Sequence, residues 1–326
     1  LNKMAAAAEA ITQLQTDEHG MGFIDLVQGE CSARIYAHGA HVTSWKVGGV
    51  ERLFMSKEAV FKPPKALRGG IPVCWPQFGD LGSLKTQHGF ARNVEWALEA
   101  VETAAADCVG NPGESRAIFT LSSTQLPAGL PMAEGWSHAF ELTLATSISE
   151  AGALKQTFTV ANPNPASGAA SEQPAEAKAF EFTTALHTYF AVSSIEGARV
   201  EGLTGCAYLD SLDGRARKTE EGELGVTFPH EVDRIYKGVG LNGSPLTLVC
   251  GEKRELPPLE LKADGFTDAV VWNPWIEKVG HPWVEKVGHP WIEKIGHAWI
   301  EKVGHAWVEK VGHAWIEKVG HPWIEK

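Results

Sequence analysis

Gly22-Phe-Ile-Asp-Leu-Val-Gln-Gly-Glu-Cys-Ser-Ala-Arg-Ile-Tyr-Ala-His-Gly-Ala-His-Val-Thr-Ser-Trp-Lys-Val47 reads as three short strands in succession, 22–27, 32–36 and 41–47. Each run is rich in β-branched and aromatic side chains, and each gap holds a glycine that can turn the chain. The same texture extends outward. Runs at 117–121, 140–144, 154–160, 180–185, 198–201, 246–249 and 269–272 continue the series, and convincing amphipathic helices are nearly absent. In Leu154-Lys-Gln-Thr-Phe-Thr-Val160 the apolar positions alternate, as in a strand with one buried face. Many short strands with turn signals between them predict an all-β fold, a large antiparallel sandwich or barrel. Asn162-Pro-Asn-Pro-Ala-Ser-Gly168, running on to Pro174-Ala-Glu-Ala177, reads as a surface loop and not a domain linker. One domain is expected over 18–274, with an extension at 1–17 before it and a separate tail at 275–326.

Composition narrows the function. The 326 residues carry a net charge of −11, which argues against nucleic acid or an anionic membrane as the main partner. Any phosphate must be met by a few local cations. No apolar run reaches the roughly 18 residues of a spanning helix, so no membrane helix is expected. Met4-Ala-Ala-Ala-Ala-Glu-Ala10 lacks a basic segment followed by an apolar core and does not read as a secretory signal. Cys31, Cys74, Cys108, Cys206 and Cys250 are odd in number and far apart. That favours free thiols in a reducing, cytoplasmic setting.

The end of the chain is a repeat. From Trp275 the unit Trp-Ile/Val-Glu-Lys-Val/Ile-Gly-His-Pro/Ala recurs every eight residues, and its Glu and Lys cancel, so the whole net charge lies upstream. In a helix this period turns each Trp about 80° from the last and gives no apolar stripe. In a strand the Trp would share a face with other residue types, and a Gly in every unit would interrupt the ladder. Asn273-Pro-Trp-Ile-Glu-Lys278 is the visible seed, which favours a tandem duplication. A real interaction or metal-binding module is the alternative; the six evenly spaced histidines fit no preformed site, and no metal is expected.

Among the motifs, Gly238-Val-Gly-Leu-Asn-Gly243 matches GxGxxG but leads into a β run, so it reads as a hairpin turn and not a phosphate cradle. Walker A, HExxH and GxSxG patterns are absent. Two segments stand out: Leu67-Arg-Gly-Gly-Ile-Pro-Val-Cys-Trp-Pro-Gln-Phe-Gly79 and Gln87-His-Gly-Phe-Ala-Arg92. Each offers guanidinium and amide donors on a Gly-rich turn where backbone can approach a ligand, and Arg suits bidentate phosphate recognition. By themselves they are equally surface arginines on loops. His187, in Leu186-His-Thr-Tyr-Phe190, would ordinarily be a core histidine, and Asp210 a turn residue.

Taken in order, these pieces are no longer independent. Gly39-Ala-His-Val-Thr-Ser-Trp45, Arg68-Gly-Gly-Ile-Pro72, Gln87-His-Gly-Phe-Ala-Arg92, His187-Thr-Tyr-Phe190 and Val271-Trp-Asn-Pro-Trp275 stand in the order in which a known family carries them. The chain resembles the hexose-6-phosphate mutarotases (glucose-6-phosphate 1-epimerases) of the aldose 1-epimerase superfamily over roughly 20–278. The resemblance implies a galactose mutarotase-like β-supersandwich and a monomer acting on a hexose 6-phosphate without a cofactor. It implies that His187 is the general acid at the ring oxygen, that Arg68 and Arg92 hold the 6-phosphate, and that Gln87, His88 and Asp210 bind hydroxyls.

The chain departs from that family after Lys278. The family's general base is a Glu in a strand about twenty residues beyond the Asn-Pro-Trp motif. Glu293 and Glu301 bracket that position, but neither has the family's flanking residues. The repeat is therefore expected to replace the final strands without rebuilding them, which would leave unpaired edges and impair the activity. A phosphosugar-binding protein that has lost catalysis is the alternative reading.

Overall fold

The computed structural model describes residues 13–80, 82–103, 113–163, 180–239, 244–251, 256–274, 291–293, 298–300 and 309–318. The hairpin expected at Asn242-Gly243, most of the loop at 162–177, Cys108 and Glu301 lie outside them. Within them the regular structure is β, and the helical pieces are single 3₁₀ turns. Every strand read from the sequence is present. The opening stretch forms Gly22–Gln28, Cys31–Tyr36 and His41–Val47, an antiparallel meander within a five-stranded sheet. Gln15–Thr16 pairs onto its edge, so the end of the N-terminal extension belongs to the body of the fold.

A nine-stranded antiparallel sheet faces this one. Its alternation places Leu154, Gln156, Phe158 and Val160 inside, and Phe158 is fully buried. One contiguous core joins it to Trp45, Trp75, Trp96, Phe90 and Phe140. A third sheet of six strands runs in the order Tyr189–Ala191, Trp291–Glu293, Ala269–Asn273, Val232–Tyr236, Ala207–Asp210, Ala216–Thr219.

The repeat does what it was expected not to do. Trp291–Glu293 pairs with Tyr189–Ala191 and Ala269–Asn273, and Ala298–Ile300 pairs with Phe182–Leu186. Glu309–Lys318 lies inside the nine-stranded sheet, between Leu154–Ala161 and Leu259–Asp264. Two physical reasons explain the difference. A three-residue strand needs no sustained period, only open edges on which to pair, and it fits between the Gly and Pro of one unit. In the long strand, Thr157 is opposite His313 and Phe158 opposite Val311, so Gly312 is the extra residue of a bulge. A bulge is where a glycine does least harm to a ladder, and Glu309–Lys318 contains no proline.

Candidate active site

His187 stands where a strand gives way to the next, and the arginine loop is laced to it. The His187 amide donates to the Pro72 carbonyl at 2.9 Å and the Tyr189 amide to the Gly70 carbonyl at 2.8 Å. This close approach requires glycine. Gly70 has φ +61°, and a Cβ there would lie 2.2 Å from the Val42 carbonyl oxygen. Arg68, exposed, thereby lies two residues before Gly70, which holds Tyr189, and four before Pro72, which holds His187.

The second loop is zipped onto Trp75. The Phe90 and Ala91 amides both donate to its carbonyl, and a Cβ at Gly89 would lie 2.1 Å from that oxygen. His88 occupies the left-handed region at φ +67°, a strained conformation for a side-chain-bearing residue. Gly79 holds it there twice. Its carbonyl accepts from the His88 amide at 2.8 Å, and its amide donates to His88 Nδ1 at 3.0 Å. Nδ1 is thus an acceptor, which leaves the proton of the neutral ring on Nε2.

The two histidines meet edge to face, with ring centroids 5.4 Å apart. The His187 ring stacks on Tyr189 at 4.8 Å and stands perpendicular to Trp272 at 6.4 Å. Both imidazoles are buried, at 3% and 5% exposure. Arg92, half-buried, donates from Nη2 to the Gln87 carbonyl at 3.0 Å, so Gln87 and Arg92 close the same turn, with Gln87 exposed. The first strand meander backs both loops: Gly39 lies against the Arg92 backbone, and His41 Nε2 is 2.7 Å from the Gly69 carbonyl.

Sheet register sorts the remaining candidates. Tyr189, Glu293, Trp272 and Asp233 occupy one row across four neighbouring strands. Asp233 therefore shares the face of Trp272, the residue that flanks the His187 ring. The sequence expectations leave Asp233 out, because Val232-Asp-Arg-Ile-Tyr236 sets two charged residues side by side and carries no period-two apolar alternation to mark it as a strand. Glu293 takes the register position between Tyr189 and Trp272, so the repeat brings a glutamate position to the row beside His187.

Asp210 is not brought together with these residues. It pairs with Arg234, one residue out of the Asp233 row, which directs it to the opposite face. Its carboxylate accepts from Lys218 Nζ at 2.8 Å and from the Leu212 amide at 3.1 Å. Burial raises its pKa, but these bonds outweigh it and hold the group below its usual value. The same face carries a second acid. Glu220 is buried and accepts from Arg234 Nη1 and Tyr236 Oη, both at 2.6 Å. Among the described residues, no group of three or more His, Cys, Asp or Glu is gathered as for a metal ion.

Known proteins resemble this chain in sequence and in fold. The sequence profile of aldose 1-epimerase matches residues 23–294. A protein of Cenchrus ciliaris named "Putative glucose-6-phosphate 1-epimerase" is 39% identical over 249 residues, 76% of this chain and 68% of the relative. One of the same name from Salmonella typhimurium is 32% identical, over 69% of this chain and 66% of its own. These matches span about two thirds of the relatives' length. Among solved structures, a "putative mutarotase" of Salmonella typhimurium superposes with a TM-score of 0.71 at 24% identity, covering 92% of this chain and 91% of its own. A galactose mutarotase-like protein of Clostridium acetobutylicum gives 0.64 at 16% identity, covering 94% and 96%. At such identities these two show the fold, a galactose mutarotase-like β-supersandwich. The chain belongs to the aldose 1-epimerase family.

Proposed function

We propose that this chain interconverts the α and β anomers of glucose 6-phosphate and related hexose 6-phosphates. The observation that supports the reading best is the lacing of the Arg68 loop to the His187 backbone, which joins a candidate acid to a candidate phosphate-binding loop. Anomerisation needs a proton delivered to the ring oxygen while the C1 hydroxyl gives one up. The C1–O5 bond then breaks, the aldehyde rotates, and the reverse transfers close the ring. One acid and one base suffice, with no electron transfer. In this reading His187 donates to the ring oxygen, and Glu293, in register with Tyr189 and Trp272, takes the hydroxyl proton. Arg68 and Arg92 hold the phosphate by charge-assisted bonds, and Gln87, His88 and Asp233 hold hydroxyls.

Among the described residues, Cys31, Cys206 and Cys250 are free thiols, which suits a reducing compartment. The test is mutarotation of freshly dissolved α-glucose 6-phosphate, followed by polarimetry beside α-glucose. Acceleration well above the buffer rate, larger for the phosphosugar, is the expected outcome. Tight phosphosugar binding without acceleration would make the chain a binding protein. Equal acceleration of both sugars would remove the phosphate from the reading.

A further inference from the structure

We infer that His41 is a positioning residue for phosphate recognition, setting the Arg68 loop from beneath through its bond to Gly69. The inference rests on the proposed 6-phosphate site and assigns it a residue that touches no substrate.

His41 lies on the strand His41–Val47 and is wholly buried. Its Nε2 is 2.7 Å from the Gly69 carbonyl. A carbonyl only accepts, so Nε2 carries the proton and the ring is the Nε2–H tautomer. Gly69 is the residue next to Arg68, and its φ of +120° belongs to glycine almost alone. A peptide in that conformation has few ways to be held, and the imidazole supplies one. The fit around it is tight. A Cβ at Gly70 would lie 2.9 Å from His41 Nε2, and the Ile71 amide donates to the Val42 carbonyl at 2.9 Å. The ring thus fills the space under the Gly69–Gly70 turn.

The same strand entry reaches the other arginine. Gly39 donates to the Val94 carbonyl at 2.7 Å, and a Cβ there would lie 3.0 Å from the Arg92 carbonyl oxygen. Three residues at this strand entry, Gly39, His41 and Val42, therefore contact the backbones of both arginine loops. Arg92 is also near enough to disfavour a charge on the ring. A neutral donor is suited to this place: it holds the Gly69 carbonyl without adding a third cation behind the two guanidiniums.

The experiment compares the full-length wild type with His41→Leu and His41→Gln. The Gln amide can reach where Nε2 stands and donate to Gly69; Leu cannot. For glucose 6-phosphate, His41→Leu should raise KM about tenfold, the loss of one good hydrogen bond's worth of positioning, with kcat within about twofold. Its kcat/KM for unphosphorylated glucose should be unchanged. His41→Gln should restore KM to within about threefold of wild type. If His41→Leu does not fold, His41→Asn, whose amide ends short of Gly69, replaces it. Unchanged KM in the donor-less variant, or equal losses on both sugars, would overturn the role of His41. A wild type that does not prefer the phosphosugar would instead overturn the phosphate site itself, and this inference with it.

Discussion

Burial pushes the His41 imidazole down to a pKa of about 3, against the pull of its Gly69 bond and helped by His38 and Arg92. His38, also buried, is lowered as well. The sign of the consequence follows from proton counts. Between the unfolded value near 6.5 and the folded value near 3, the unfolded chain binds a proton that the native chain refuses. Stability contributed by neutral His41 is therefore complete above about pH 6.5 and falls as pH drops toward 3, by at most about 1.4 kcal/mol per pH unit. Urea unfolding of wild type and His41→Gln at pH 7 and pH 5 should show the wild type losing more between the two. Equal losses would mean that the ring titrates normally. At the site itself, His187→Ala should cost about 10²–10⁴-fold in mutarotation while phosphosugar binding persists, the usual worth of a general acid. Isothermal calorimetry beside polarimetry would separate the two quantities, and an unchanged rate would remove His187 from the mechanism. Glu293→Gln should cost a comparable factor, and an unchanged rate would return the base to some other group.

At the scale of single elements, strands whose side chains alternate or cluster by β-propensity were readable from the chain, as in Leu154–Ala161 and His41–Val47. Others were not. Ala97–Thr103 has two glutamates on its exposed positions and only Val101 fully inside, so its pattern is weak. Val232–Tyr236 mixes Asp and Arg into a strand because both charges find partners or solvent beside it. The loops told more than their composition promised. Arg68 and Arg92 are ordinary surface residues by type; what joins them to His187 is backbone bonding through Gly70, Pro72 and Trp75, which no local pattern encodes. Those bonds make a prediction. Gly70→Ala must place a methyl against the Val42 carbonyl at positive φ, so the loop has to move. Strain of this kind costs on the order of 1–3 kcal/mol. Thermal unfolding should register it, and KM for the phosphosugar should rise with it. A variant with wild-type stability and KM would show that the turn is freer than its packing implies.

Across the whole molecule, one repeat-derived strand decides whether the largest sheet is a single object. In the nine-stranded order, Glu309–Lys318 has four strands on either side, and among the described residues it is their only hydrogen-bonded connection. Remove it and Leu154–Ala161 and Leu259–Asp264 become open edges, each presenting unpaired amides and carbonyls along its length. Such edges recruit other chains, and the core facing them, including Phe158 and Leu261, loses its cover. A chain ending at residue 290 should accordingly lose its cooperative melt and sediment as aggregates, although it retains every residue of the arginine loops and His187. A subtler change isolates the strand from the rest of the repeat. Ala314 faces Gln156 on one side and Ala263 on the other. Proline there removes one ladder donor and cannot occupy a central strand without disruption, at a cost of about 3 kcal/mol or more by analogy with helix interiors. Ala314→Pro should therefore lower the melting temperature markedly. Hydrogen exchange should become faster in Leu154–Ala161 and Leu259–Asp264 together, whereas Cys31–Tyr36 in the separate five-stranded sheet should respond less. If both edges keep wild-type protection in Ala314→Pro, the repeat strand is not the joint between the two halves, and the sheet must be held across its middle by side-chain packing alone.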